Sequence, residues 1–426
     1  TLFRSPAGFV IWMLITLCYS YQLFYIFYMI FGGSKKDKKF TAEKFYKYGL
    51  IIAARNEEKV IGNLIDSIHL QNYPEELIEI YVIADNCTDN TAKICRDKGA
   101  IVYERNDKEL IGKGYALNYL YKKILFKENP CDAYMVFDAD NLLDKDFVSE
   151  MNKTFNGGYK VITSYRNSKN YDTNWISAGY SLWFMREAKF LNNPRMNLNT
   201  SCAISGTGFL ISRDLLIKNK CWNFFMLTED IQFSVSNILN GETIGYCKDA
   251  VLYDEQPTTL KQSYHQRLRW AKGFYQVMDK YSSALFSKAV KSKNFACFDM
   301  FMTIFPAVIL VLIDMIIYSG IFTYSLVAEK NFTTFLTYIK PVVISMALFY
   351  IFLYLIGIIT LISEWKKINC KKYKKILYTF TFPIFLLTYI PIAVIALFKE
   401  VEWVPITHDV SCTIENLTVE NIKNNR

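Results

Sequence analysis

Four apolar segments, residues 9–31, 301–324, 341–362 and 376–398, constrain this chain more than any other feature. Each is long enough to cross a hydrocarbon core, which takes roughly 20 residues of helix. A lone segment can enter lipid only as a helix, because its backbone groups find no partner there except each other. The remainder cannot follow them: 21% of the 426 residues are charged, beside 52% apolar and 16% aromatic. A water-facing domain joined to membrane helices accommodates both demands. The first segment is long, rich in Tyr and Phe, and lacks a small-residue cleavage site, so it reads as a retained span and not as a signal peptide. Asp314 interrupts the second. A carboxylate at that depth costs about 2.5–3.5 kcal/mol, so Asp314 is expected to face a polar path, or to be protonated and hydrogen-bonded between helices.

A net charge of +9 suits nucleic acid, anionic lipid or a phosphorylated substrate. Much of the excess sits beside apolar segments, at Lys35, Lys36, Lys38 and Lys39 and again between Lys366 and Lys375. This favours lipid headgroups over nucleic acid. Basic flanks stay in the cytosol, which makes a multi-pass cell-membrane protein with a cytosolic central domain. The tail from Lys399 then falls outside, unless the last segment, with Pro383 and Pro391, does not fully cross. Ten cysteines with no C-x-x-C pair give neither a disulfide framework nor a zinc spacing.

Between residues 40 and 257 apolar runs alternate with helical patterns. YGLIIAA (48–54) is the continuous run of a buried parallel strand. Val60, Ile61, Leu64, Ile65 and Ile68 follow at helical spacing. IEIYVIAD ends a second strand at Asp85, and YMVF leads into Asp138. This rhythm predicts a doubly wound α/β domain with its ligands at the carboxyl ends of the strands. Further on, Leu260, Tyr264, Leu268, Ala271, Tyr275 and Met278 form one face of a basic amphipathic helix, expected to lie along the bilayer surface. The expected organisation is a membrane helix (1–33), a catalytic domain (34–257), interface helices (258–297), membrane helices (298–398) and a tail (399–426).

Polar residues gather at the predicted strand ends: Arg55, Asn56 and Glu57 after the first, Asp85 after the second, Asp138 and Asp140 after the third. A D-x-D pair on a strand-end turn can aim both carboxylates into one crevice, a hard-oxygen set suited to Mg²⁺ or Mn²⁺. The same spacing is common in ordinary turns. GKGYALN (112–118) resembles a phosphate-cradling helix start without being a Walker motif; a solvated capping turn is the plain alternative. SGTGF (205–209) lets backbone approach a ligand, or is only a β-turn. LTED (227–230) offers two carboxylates, or a capping Thr with acidic first-turn residues. QRLRWAKG (266–273) sets Gln, Arg and Trp in a Gln-x-x-Arg-Trp pattern.

In that order, Asp85, Asp138-Ala139-Asp140, Thr228-Glu229-Asp230 and Gln266-x-x-Arg269-Trp270 resemble the membrane-integrated processive enzymes of glycosyltransferase family 2, the cellulose, hyaluronan, chitin-oligosaccharide and mixed-linkage glucan synthases. The resemblance implies a GT-A-type domain that binds a UDP-sugar with Mg²⁺ or Mn²⁺ and feeds a growing glycan across the bilayer. By position, it assigns Asp85 and Asp138 to the uridine part, Asp140 to the metal, and Lys113, Gln266 and Arg269 to the nucleotide and its diphosphate. Asp230, beside Glu229, becomes the general base, and Trp270 the platform for the acceptor sugar. Arg55 and Glu57 join the donor site, and Gly206 and Thr207 the acceptor site. Where the usual second-strand pair begins with Asp, this chain has Ala84. UDP-glucose and a β-linked polymer are expected. UDP-N-acetylglucosamine polymerisation, or non-processive transfer to a lipid carrier, is the alternative. A nucleotide-binding membrane regulator would have no need of Asp230.

Overall fold

The computed structural model describes residues 23–305, 320, 323, 332–402, 408 and 410–417. Asp314 and most of the expected spans 9–31 and 301–324 lie outside the described residues.

Eight strands form one sheet: β1 (Tyr48–Ala54), β2 (Ile78–Asp85), β3 (Ile101–Arg105), β4 (Ala133–Asp138), β5 (Leu142–Leu143), β6 (Val161–Ser168), β7 (Phe209–Ser212) and β8 (Ile244–Asp254). Their order is β3-β2-β1-β4-β7-β6-β8-β5. β1 lies inside the sheet, paired in parallel with β2 and with β4. Leu50, Ile51 and Ile52 are completely buried, which is why this strand reads as an unbroken apolar run and not an alternating one. The sheet departs from the expected parallel arrangement at β7, which runs antiparallel to both β4 and β6. The chain enters β7 through Gly206 (φ 84°) and Gly208 (φ 64°). A Cβ at Gly208 would stand 1.9 Å from the Leu252 side chain, so only glycine lets this turn approach β8. Strand order reverses between β1 and β4, and a crevice opens at such a switch point.

Two of the four expected spans appear among the described residues. Met346–Glu364, within the helix Phe332–Glu364, and Lys372–Phe398 are long and apolar enough to cross a membrane. Met346, Leu348, Ile351 and Leu355 are exposed on the first, and Tyr373, Leu377, Phe380 and Ile384 on the second.

The last segment corrects two expectations. It is two helices, Lys372–Leu387 and Tyr389–Phe398, and both rest on the water-facing domain. Lys374 Nζ pairs with Asp172 at 3.1 Å. Phe385 lies against Gly179, where a Cβ would come within 2.4 Å of its ring. Arg267 donates to the Phe385 carbonyl at 3.0 Å and to Thr388 Oγ1 at 2.9 Å, spanning the break between the helices. Ile392, Ala393 and Ala396 then pack on Leu268 and Ala271 of the 32-residue helix Leu260–Lys291. Of the apolar face expected on the bilayer, Leu268 and Ala271 are thus covered by protein, while Leu260 at its start stays exposed. The tail continues back to the sheet, where His408 Nδ1 meets Glu57 at 3.0 Å and the Val410 N–H donates to Glu255 at 3.1 Å. Residues in contact share a side of any membrane, so the tail lies with the α/β domain and not opposite it.

Candidate functional site

One cavity of about 640 Å³ collects almost every residue singled out by sequence. Arg55 and Glu57 leave β1, Asp85 closes β2, and Asp138 closes β4 with Asp140 on the turn beyond. Lys113 opens the helix Lys113–Ile124, and Glu229 and Asp230 form the first turn of Glu229–Leu239. Gln266, Arg269 and Trp270 project from Leu260–Lys291, and Gly206 faces them; all of these line the cavity.

The glycines of GKG have separable purposes. Gly112 holds φ 138°, a region open to glycine. A Cβ at Gly114 would stand 2.2 Å from the Phe224 carbonyl oxygen. Together they seat Lys113 so that its ammonium pairs with Asp138 and donates to the Gly206 carbonyl at 2.8 Å. Thr207 is not among the residues that line the cavity. It is 2% exposed, its hydroxyl accepts from the Asp138 N–H at 3.0 Å and donates to Asn141. Its work is to hold the D-x-D turn.

Asp85 accepts from Arg105 at 2.6 Å; burial raises its pKa against the pull of Arg105 and Arg55. Thr228 starts its helix without a side-chain cap, and its buried hydroxyl has no hydrogen-bond partner, so the capping reading of LTED fails at this residue. Burial pushes Glu229 up to about 7, with the Asp230 charge adding to it and Lys113 and Arg269 opposing. Asp230 is raised too, by burial, while its Oδ1 accepts the Ile231 N–H at 2.8 Å. Gln266 Oε1 is buried without a partner and is available to a bound group. Trp270 meets Tyr180 and Phe184 edge to face, centroids 5.8 and 6.1 Å apart, which sets its plane.

Several site residues escaped the sequence reading. Arg166 leaves β6, donates through Nε to Asp254 at 2.8 Å and through NH1 to the Ser205 carbonyl at 3.1 Å, and lies over Phe184 at 3.9 Å. Asp254 ends β8 and Glu255 follows it, one more strand end with paired acids, and that was the available signal. Nothing in the sequence announced His408, whose tail was assigned elsewhere. Burial opposes its charged form, yet Asp140, Glu57 and Glu255 together push its pKa up to about 10.

The donors around the D-x-D turn fit a hard divalent cation. They are carboxylates, and they repel one another: burial raises Asp254, and Asp140 raises it further against Arg166. Among the described residues no three His, Cys, Asp or Glu side chains form a ready metal cage.

A mixed sheet with its carboxylates at a switch point defines an α/β domain of the GT-A-like type. Its fold is shared with a mannosyltransferase from Pyrobaculum calidifontis, solved with GDP-Man and Mn²⁺: TM-score 0.56 and 14% identity over 91% of this chain and 99% of that one. The model of the family "Glycosyltransferase like family 2" matches residues 47–273, more than half of the chain, and the chain belongs to that family. Among curated relatives, a probable glycosyltransferase of Bacillus subtilis (strain 168) is 26% identical over 65% of this chain and 67% of its own. A beta-monoglucosyldiacylglycerol synthase of Synechocystis is 27% identical over 53% of this chain and 47% of its own. A poly-beta-1,6-N-acetyl-D-glucosamine synthase of Staphylococcus aureus (strain COL) is 26% identical over 54% of each. The match thus spans about half the length of the latter two.

Proposed function

We propose that the chain transfers a hexose from a UDP-sugar, UDP-glucose foremost, to an acceptor hydroxyl with inversion, building a β-linked glycan at the membrane face. One observation carries this reading: the acidic strand ends, Lys113, Asp230 and the Gln266–Arg269–Trp270 group line one cavity that continues between the apolar helices Phe332–Glu364 and Lys372–Leu387. In the reading, Asp85 and Asp138 hold the uridine part, with Arg105 and Lys113 fixing their carboxylates. Asp140 would hold Mg²⁺ or Mn²⁺, which when bound neutralises charge on the leaving diphosphate. Arg269 lies where it can neutralise more of that charge, and Gln266 offers its unpartnered amide oxygen to a sugar hydroxyl. Trp270, its plane set by Tyr180 and Phe184, supports the apolar face of the acceptor ring. Asp230 takes the acceptor proton, and Glu229 beside it keeps that carboxylate basic.

The test is purified protein given each UDP-sugar in turn with Mg²⁺ or Mn²⁺, followed by UDP release and linkage analysis. Metal-dependent release and a β-linked product support the reading. Asp140→Asn should remove most metal-dependent UDP binding, since an amide is a poorer ligand for a hard cation. Full turnover in EDTA, or in that variant, removes the metal from the reading.

A further inference from the structure

Strand β6 is held on one face by a helix and offers the other to the cavity. β6 pairs with β7 only from Val161 to Thr163, so among the described residues its last stretch has β8 as its one strand neighbour. There the end of the helix Phe332–Glu364 closes on it. Glu364 is 2% exposed, and a carboxylate so buried must be partnered. It accepts the Tyr165 hydroxyl at 2.7 Å and meets the Lys367 ammonium at 3.1 Å. Lys367 lies over the Tyr165 ring at 3.7 Å, and its carbonyl accepts from Asn167 Nδ2 at 3.1 Å. Tyr165 and Asn167 are two positions apart on a strand and so share a face.

Arg166, between them, takes the opposite face and lines the cavity. The register is arranged for this. Ser164 pairs with Cys247 but Tyr165 with Val251, and the irregularity sets Ser168 beside Asp254, as a bulge re-aims the residues that follow it. Arg166 then donates to Asp254 at 2.8 Å and to the Ser205 carbonyl at 3.1 Å. Two routes leave it. Asp254 also accepts from Asn141 Nδ2 at 2.8 Å, and Asn141 Oδ1 accepts the Asp138 N–H of the D-x-D turn at 3.2 Å. Ser205 leads into Gly206, whose carbonyl accepts from Lys113 at 2.8 Å. The end of the helix and the acids of the donor site thus belong to one hydrogen-bonded network.

We infer that Glu364 is a positioning residue of the donor site: through Tyr165 it fixes the end of β6, and β6 holds Arg166 where it braces both the D-x-D turn and the Ser205–Gly206 turn. This rests on the transferase reading above and adds to it a residue outside the site. Glu364 is not among the residues that line the cavity, so its effect on a nucleotide must pass through Arg166. A helix long and apolar enough to cross a membrane thereby sets the geometry of the donor site, and a chain whose helix end has left β6 binds its nucleotide weakly. The coupling is reciprocal: Glu364 strengthens nucleotide binding, and bound nucleotide strengthens the Glu364–Tyr165 contact.

The test uses the full chain in detergent with UDP and Mn²⁺, read by titration calorimetry so that binding is measured without turnover. Tyr165→Phe removes one hydroxyl and keeps the ring under Lys367. Glu364→Ala removes the acceptor, and Glu364→Gln returns an oxygen to Tyr165. The first two should weaken UDP binding by about tenfold, a typical coupling between sites, and Glu364→Gln should recover most of it. Arg166→Met should weaken it as well, and adding Tyr165→Phe to Arg166→Met should change nothing further, because the route is already cut. A merely structural clamp predicts a different result: melting falls, while UDP affinity in the folded protein keeps its unsubstituted value. Because a substitution in a buried pair can prevent folding, the unsubstituted chain is also followed by hydrogen exchange. UDP with Mn²⁺ should slow exchange in the peptide containing Glu364 and Lys367 as well as in that containing Asp138 and Asn141. Unchanged UDP affinity in Tyr165→Phe, independent effects in the double variant, or no protection at Glu364 and Lys367 overturns the inference and leaves the transferase reading intact. No UDP binding by the unsubstituted chain overturns the UDP-sugar reading and the inference with it.

Discussion

Glu229 and Asp230 stand side by side in a half-buried first turn, and two carboxylates there cannot both ionise cheaply. Burial and the neighbouring charge lift Glu229 to about 7 from an ordinary 4.5, and Asp230 is raised as well. The folded chain therefore retains protons that the unfolded chain releases near pH 4.5. The pair favours the fold most at low pH, and that advantage fades as pH rises toward 7. Activity moves the other way, because a base must be free of its proton. The acid limb of kcat/KM should lie well above the ordinary carboxylate range, and Glu229→Gln should shift it to lower pH by removing the repulsion. An unmoved limb would separate Glu229 from the base. Asp230→Asn keeps size and hydrogen bonding but cannot accept the proton. UDP binding should persist, while transfer falls about 10²- to 10⁴-fold. If Asp230 were only a helix cap worth about 1 kcal/mol, Asn, itself a good cap, would leave synthesis nearly normal.

At the scale of elements, the helix Leu260–Lys291 has two arginines, two positions apart, and both border the cavity. Arg269 stands beside the Glu229–Asp230 pair and opposes its raised pKa values. Arg267 is 4% exposed and braces the break in the last apolar segment. Arg267→Ala leaves the Phe385 carbonyl and Thr388 without their charged donor, at about 1.5–3 kcal/mol per hydrogen bond, so the apparent melting temperature in detergent should fall by several degrees. Arg269→Ala should leave melting nearly unchanged and lower kcat. Equal melting losses from both would contradict this division. The sequence revealed most of this helix: its length, its two faces and the Gln-x-x-Arg-Trp group. It did not reveal what covers the apolar face, because a stripe made for a protein partner and one made for lipid have the same periodicity. The strand ends were legible for a related reason. Asp85 and Asp138 end buried apolar runs, so the sheet itself aims them. The partner of Thr207 was not legible, because Asn141 comes from a different strand end. His408 was invisible because it reaches Glu57 from 351 positions away in the sequence. Its imidazolium offsets the carboxylates of Glu57, Asp140 and Glu255. His408→Ala should raise the KM for a UDP-sugar by about tenfold, the equivalent of one lost charge contact, and leave kcat less affected. An unchanged KM would make the tail a bystander.

For the whole molecule, the path of the last apolar segment decides where the tail lies. Charge flanks and hydropathy treat 376–398 as a crossing, which would set the tail across the membrane from the sheet. The contacts oppose that: Lys374 on Asp172, Arg267 at the helix break, Ile392 and Ala393 on Leu268, Asn63 Nδ2 donating to Ser411 at 3.0 Å. A segment fastened to one domain at its start, middle and end returns its tail to that domain's side. Lysines 366–375 and the tail share a side, which the basic-flank rule also asks of those lysines. A cysteine at the exposed Glu415 distinguishes the two paths. With Glu415→Cys and the unsubstituted chain compared side by side, a membrane-impermeant PEG-maleimide should give the additional adduct in inverted vesicles and not in right-side-out ones. The same orientation should expose the α/β domain to protease. Additional labelling in right-side-out vesicles alone would mean that the segment crosses, and would detach His408 from the site.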